Sequence, residues 1–126
     1  MQTVNIEYVF RKVLDCSFKI HTALGPGLLE SVYVECLYYE LTLSGLNVEK
    51  QRALPLVYEK VRLEAGYRID LLVEGKMVVE VKSIDALAEI HMAQILTYLR
   101  LSKCKLGLLI NFNVAHLKDG IKRVIL

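Results

Sequence analysis

The chain has no tryptophan, two prolines, three cysteines and no long apolar run, and most of these scarcities remove a class of protein. Cys16, Cys36 and Cys104 are scattered, odd in number and form no C-x-x-C pair, which argues against a disulfide framework and against a zinc site. They read as reduced core thiols of a cytosolic protein. No apolar stretch approaches the ~20 residues that span a bilayer, and the start MQTVNIEYVFRK has no apolar core behind a basic segment. Neither a membrane span nor a signal peptide is expected, and the expected location is cytoplasmic. There is no Gly/Ser-rich linker, charge run, repeat or low-complexity stretch, so residues 1–126 are expected to form a single domain. An excess of one charge is missing too: 16 basic against 14 acidic side chains leave +2, well short of an electrostatic footprint for nucleic acid.

What is present is a large apolar fraction, 54% of 126 residues, enough to bury a core. Ile6, Val9, Val13, Cys16, Ile20 and Leu24 recur at steps of three and four, predicting a helix over 5–24 that Gly25-Pro26-Gly27 ends. A second helix is predicted from Leu28 to Ser44, stopped by Gly45. The period then changes. Leu54–Tyr58 and Val61–Leu63 suggest strands, with Pro55 confining its segment to an edge or a strand start. Tyr67–Val73 and Met77–Lys82 read as strands joined at Glu74-Gly75-Lys76. Asp85 is a plausible N-cap for a helix over 86–102, and Leu106–Phe112 is apolar enough to be a central strand. The tail carries a turn at Lys118-Asp119-Gly120 and then a short strand or helix. The order α-α-β-β-β-α-β predicts an α/β domain, a mixed sheet covered by helices.

The hairpin over 67–82 carries the chemistry. Strand side chains alternate faces, so Glu80 and Lys82 point the same way. A two-residue turn would set Asp70 opposite Val79, whereas a three-residue turn, with Gly75 or Lys76 left-handed, sets Asp70 opposite Glu80. The second register is expected because it gathers Ile69, Leu71, Val79 and Val81 on one apolar face. Two facing carboxylates repel, so a cation should sit between them. A hard divalent ion such as Mg²⁺ satisfies this, often through one or two carboxylates plus a substrate phosphate. A solvated face on which Arg68 and Lys82 neutralise the acids satisfies it as well.

Two further segments bear on that choice. The helix over 86–102 aligns His91, Gln94 and Tyr98 on one stripe beside an apolar stripe of Met92, Ile95 and Leu99. In Gly27-Leu28-Leu29-Glu30-Ser31-Val32-Tyr33, Glu30 falls in the first turn of the second helix, where the helix dipole favours an acid whatever else it does. Tyr33 follows one turn later.

Taken together these residues resemble a known family. Gly27, Glu30 and Tyr33 match the G-x-x-E-x-x-Y signature of a group of small bacterial and archaeal proteins assigned to the PD-(D/E)XK nuclease superfamily. Asp70 with Glu80-Val81-Lys82 matches the superfamily's D…E-x-K core, and Gln94 and Tyr98 match the Q-x-x-x-Y element of its RecB-like branch. The motifs run in the expected order over residues 5–112, although Ile69 stands where the superfamily's name has proline.

The resemblance implies a restriction-endonuclease-like core and metal-dependent phosphodiester hydrolysis. Asp70 and Glu80 would hold Mg²⁺, with Mn²⁺ as a substitute, and the Val81 carbonyl and Glu30 would complete the shell. Lys82 would position the attacking water, and Gln94 and Tyr98 would hold Lys82 or the scissile phosphate. The implied partner is nucleic acid, DNA ahead of RNA, with a homodimer or protein partner supplying grip that so small a domain lacks. No zinc knuckle, helix-turn-helix or aromatic–basic groove is present to read bases. Lys103, Lys105, Lys118, Lys122 and Arg123 could line a phosphate path, or simply a solvated face. Two rival functions follow from the same residues: an interaction module that keeps the fold without catalysis, and a hydrolase of small phosphates, which the lack of a Gly-rich phosphate loop disfavours.

Overall fold

The computed structural model describes residues 4–126. Helix α1 spans Ile6–Leu24 and α2 Glu30–Leu43. Strands β1 (Val48–Tyr58), β2 (Val61–Val73) and β3 (Met77–Lys82) follow, then α3 (Glu89–Ser102) and β4 (Leu106–Asn111). A 3₁₀ turn over Leu117–Gly120 leads into β5 (Ile121–Ile125). The five strands form one mixed sheet in the order β1-β2-β3-β4-β5, in which only the β3–β4 pair is parallel. No helix among the described residues is long and apolar enough to cross a membrane.

Each face of the sheet buries its own cluster. Val9, Val13 and Ile20 of α1 and Tyr33, Leu37 and Leu41 of α2 pack on Leu71, Val73, Val79, Val81, Leu108 and Ile110. On the other face Ile95, Tyr98 and Leu99 of α3 pack on Leu72, Val78, Leu109 and Val124. Glu80 and Lys82 share strand parity with Val78, so they lie on the α3 side. Gly107 lets α3 approach closely, because a Cβ there would meet Ile95 Cδ1 at 3.0 Å. That close seating brings Gln94 and Tyr98 down to the strand that carries Glu80. The cysteines are free; Cys16 and Cys104 are buried, and Cys36 is half-buried on α2.

Several boundaries differ from the sequence pattern. The stretches Val61–Leu63 and Tyr67–Val73 are one strand, and its partner β1 starts at Val48 rather than Leu54, because the two pair as a long antiparallel ribbon. Pro55 lies in β1, an edge strand, at a shift of register between Leu54 and Leu56. Helix α3 begins at Glu89, and Asp85 is not its cap: the Ala88 N–H donates to His91 Nδ1 at 2.9 Å. The tail is a strand because it pairs antiparallel with β4.

Candidate functional site

The three-residue turn forms as expected. Val73 stands opposite Met77 and Leu71 opposite Val79, a register that carries Asp70 across from Glu80. Glu74 and Gly75 take the left-handed conformation, with φ 55 and 64, and Lys76 does not. Beyond Leu71 the ladder stops and carboxylates replace it. The Asp70 N–H donates to Glu80 Oε2 at 2.8 Å, and the Val81 N–H donates to Asp70 Oδ2 at 2.8 Å. One oxygen of each carboxylate is therefore tied to the main chain, which fixes the direction of the other.

Ile69 departs from the expected apolar face. It packs in the α3 cluster and not with Leu71, Val79 and Val81. The cause lies across the sheet, where Gln51 holds φ 55 and the β1–β2 ladder skips the Gln51–Asp70 position. A left-handed non-glycine residue inside a strand turns the chain locally, so the faces exchange at Asp70.

Glu80 is 3% exposed. Burial, with the Asp70 charge second, pushes its carboxyl up to about 8. Burial also raises Asp70, opposed by the Val81 N–H and by the Lys82 ammonium. Two acids that resist ionisation side by side are a site that a cation would relieve. Tyr98 is pushed up to about 12, by burial first and then by the charges of Glu80 and Asp70. Lys82 Nζ donates to Gln94 Oε1 at 3.4 Å. The structure thus brings Asp70, Glu80, Lys82, Gln94 and Tyr98 to one place.

Glu30 reaches the end of the same strand by another route. Its Oε2 accepts from the Ser83 N–H at 3.3 Å, and its charge acts on both Asp70 and Glu80. The G-x-x-E-x-x-Y spacing has a local explanation. Gly27 sits at φ 96, which favours glycine. The fully buried Tyr33 stacks on Phe112 with ring centroids 4.4 Å apart. Its hydroxyl donates to Gly25 O at 2.6 Å and accepts from the Leu28 N–H at 3.1 Å. The loop so fixed presents Leu28 O to the Ser83 hydroxyl at 2.5 Å and Glu30 to the Ser83 N–H. Gly27 and Tyr33 shape the loop; Glu30 is the residue it delivers.

The donors at the site are carboxylate oxygens, the kind that a hard cation takes. Among the described residues no group of three or more His, Cys, Asp or Glu side chains forms a metal cage. A facing carboxylate pair matches an ion that keeps most of its waters and takes ligands from a substrate phosphate.

Three contributors were not read from the sequence. Gln51 lies across the sheet from Asp70, and its side chain favours the ionised Asp70 carboxyl. Ser83 joins β3 to the Gly27 loop. Asn111, 2% exposed, accepts from the Ile84 N–H at 3.1 Å and donates to Ile84 O at 3.0 Å, pinning the turn after Lys82. An asparagine inside the apolar run Leu106–Phe112 was the available signal for the last. Of the five basic residues that could line a phosphate path or a solvated face, three are placed away from the site or already paired. Lys103 and Lys105 flank the start of β4, with Lys76 of the turn after β2, at the end of the sheet away from Lys82. Arg123 is paired with Glu7 at 2.7 Å.

Comparison with known proteins gives one match. A family model, the PD-(D/E)XK nuclease superfamily, matches residues 7–124. No curated protein and no solved structure matches the chain.

Proposed function

The chain belongs to the PD-(D/E)XK nuclease superfamily, and from that premise we propose that it is a nuclease hydrolysing phosphodiester bonds with Mg²⁺, or Mn²⁺ in its place, at Asp70 and Glu80. The single observation that carries this reading is the pair of facing carboxylates, Glu80 buried and Asp70 half-buried, each tied by one oxygen to the other strand's main chain. We assign it further to the G-x-x-E-x-x-Y group, on Gly27, Glu30 and Tyr33, with DNA as the preferred substrate.

Asp70 and Glu80 would hold the divalent ion, which would supply polarisation of the phosphate and a more acidic water. The chain's own part is positioning. Asp70 and Glu80 supply the charge that holds the ion, and Glu30 adds a further acid at the end of β3. Lys82 Nζ, steadied by Gln94 Oε1, orients the attacking water and offsets the charge that develops on the phosphate oxygens. Tyr98, held un-ionised by its surroundings, offers a hydroxyl to the scissile phosphate.

The reading is tested with a labelled panel of single-stranded, duplex, flap and four-way DNA, and RNA, in Mg²⁺ or Mn²⁺. Cleavage by the wild type that Asp70→Asn abolishes supports it. A chain that neither cleaves nor binds Mn²⁺ calorimetrically is an interaction module instead.

A further inference from the structure

Gln94 and Tyr98 also form a wall of a second groove, of about 260 Å³, whose other lining residues are Tyr67, Ile90, Ala93 and Thr97. Tyr67 stands on β2 beyond the stretch that pairs with β3, so no third strand covers it. Its ring centroid is 5.8 Å from that of Tyr98, tilted by 51°, and the residue is 42% exposed. Ile90, in the first turn of α3, is 71% exposed at the rim. Two large, exposed apolar side chains thus converge on a groove that shares two residues with the candidate site.

We propose that this groove takes one unpaired nucleobase next to the scissile phosphate, stacked on Tyr67, and that the substrate is nucleic acid single-stranded at the cut. The proposal deepens the nuclease reading and rests on it. The groove is open to solvent along its rim, and stacking on Tyr67 needs a base face that a paired, stacked base does not offer. A paired base would have to leave its stack and its partner to enter, whereas an unpaired one enters without that cost. The walls are aromatic and aliphatic, and every base offers a π-face to them. Two of the polar groups along them are engaged within the protein: Thr97 Oγ1 donates to Ala93 O and accepts from Arg100, and Gln94 Oε1 holds Lys82. Stacking on Tyr67 is open to any base, so the selection the groove makes is first of all for strandedness.

The test separates binding from cleavage. Lys82→Ala protein in Ca²⁺ is titrated against fluorescent single-stranded and blunt duplex DNA of equal length, followed by anisotropy. The single strand should bind more tightly. Adding Tyr67→Ala should weaken single-strand binding roughly tenfold or more, the scale of one base–aromatic stack, and duplex binding by much less. Tyr67→Phe should restore the single-strand affinity, which a general loss of folding would not allow. Equal losses on both DNAs, or no loss with Tyr67→Ala, overturn the proposal. Since the titration needs no turnover, it can fail while the wild type cleaves, or hold while cleavage is absent.

Discussion

The main chain of Asp70 donates to the side chain of Glu80, while the Asp70 side chain receives the N–H of Val81. The two acids therefore cross-brace β2 and β3 where the ordinary ladder has ended. Two like charges are held together by bonds to main-chain donors, at a point deep enough that both resist ionisation.

This arrangement makes the metal-free protein sensitive to alkali. Glu80 titrates at about 8 when folded against an ordinary 4.5. A raised folded value means that its stabilising contribution is full below the unfolded value and is lost as pH rises through the folded one. Asp70 shifts in the same direction. Chemical denaturation without metal should show stability falling by a few kcal/mol between about pH 5 and 8, and Glu80→Gln should flatten that slope. Mg²⁺ binding at neutral pH should release a proton, seen as a buffer-dependent heat in calorimetry.

Tyr33→Phe removes a hydroxyl that serves Gly25 O and the Leu28 N–H. Losing both bonds in this part-buried loop should cost about 0.5–1.5 kcal/mol, since water can reach the freed groups. It should also loosen the loop that delivers Glu30, so cleavage should fall by more than the melting shift explains. Thermal melting and single-turnover rates on the same sample check both.

Gly107→Val should push α3 outward, since even a Cβ at that position meets Ile95 Cδ1 at 3.0 Å. Overpacking of this kind costs about 1–3 kcal/mol. A displacement of about 1 Å at Gln94 and Tyr98 should lower the rate about a hundredfold, measured as kcat at a temperature where the variant remains folded.

The hairpin register could be read in advance because turn length and side-chain parity are local properties, and both point to Asp70 opposite Glu80. The edge position of Pro55 follows from its missing N–H in the same way. What escaped depends on distant partners. Ile69 changes faces because of Gln51, eighteen residues earlier in the chain and adjacent only across the sheet. The tail is a strand because β4 pairs with it, and α3 starts late because His91, not Asp85, supplies the cap. The loop motif was legible as spacing, while its reason, the Tyr33 hydroxyl closing on Gly25 and Leu28, exists only once the chain has folded back on itself.

The most direct measurement compares Lys82→Ala with wild type for two quantities on one preparation: single-turnover cleavage in Mg²⁺ and affinity for Mn²⁺. If Asp70 and Glu80 hold the ion and Lys82 handles the water, the rate should fall by about 10²–10⁴ while the affinity stays within about twofold. A variant that cleaves at the wild-type rate would contradict the account.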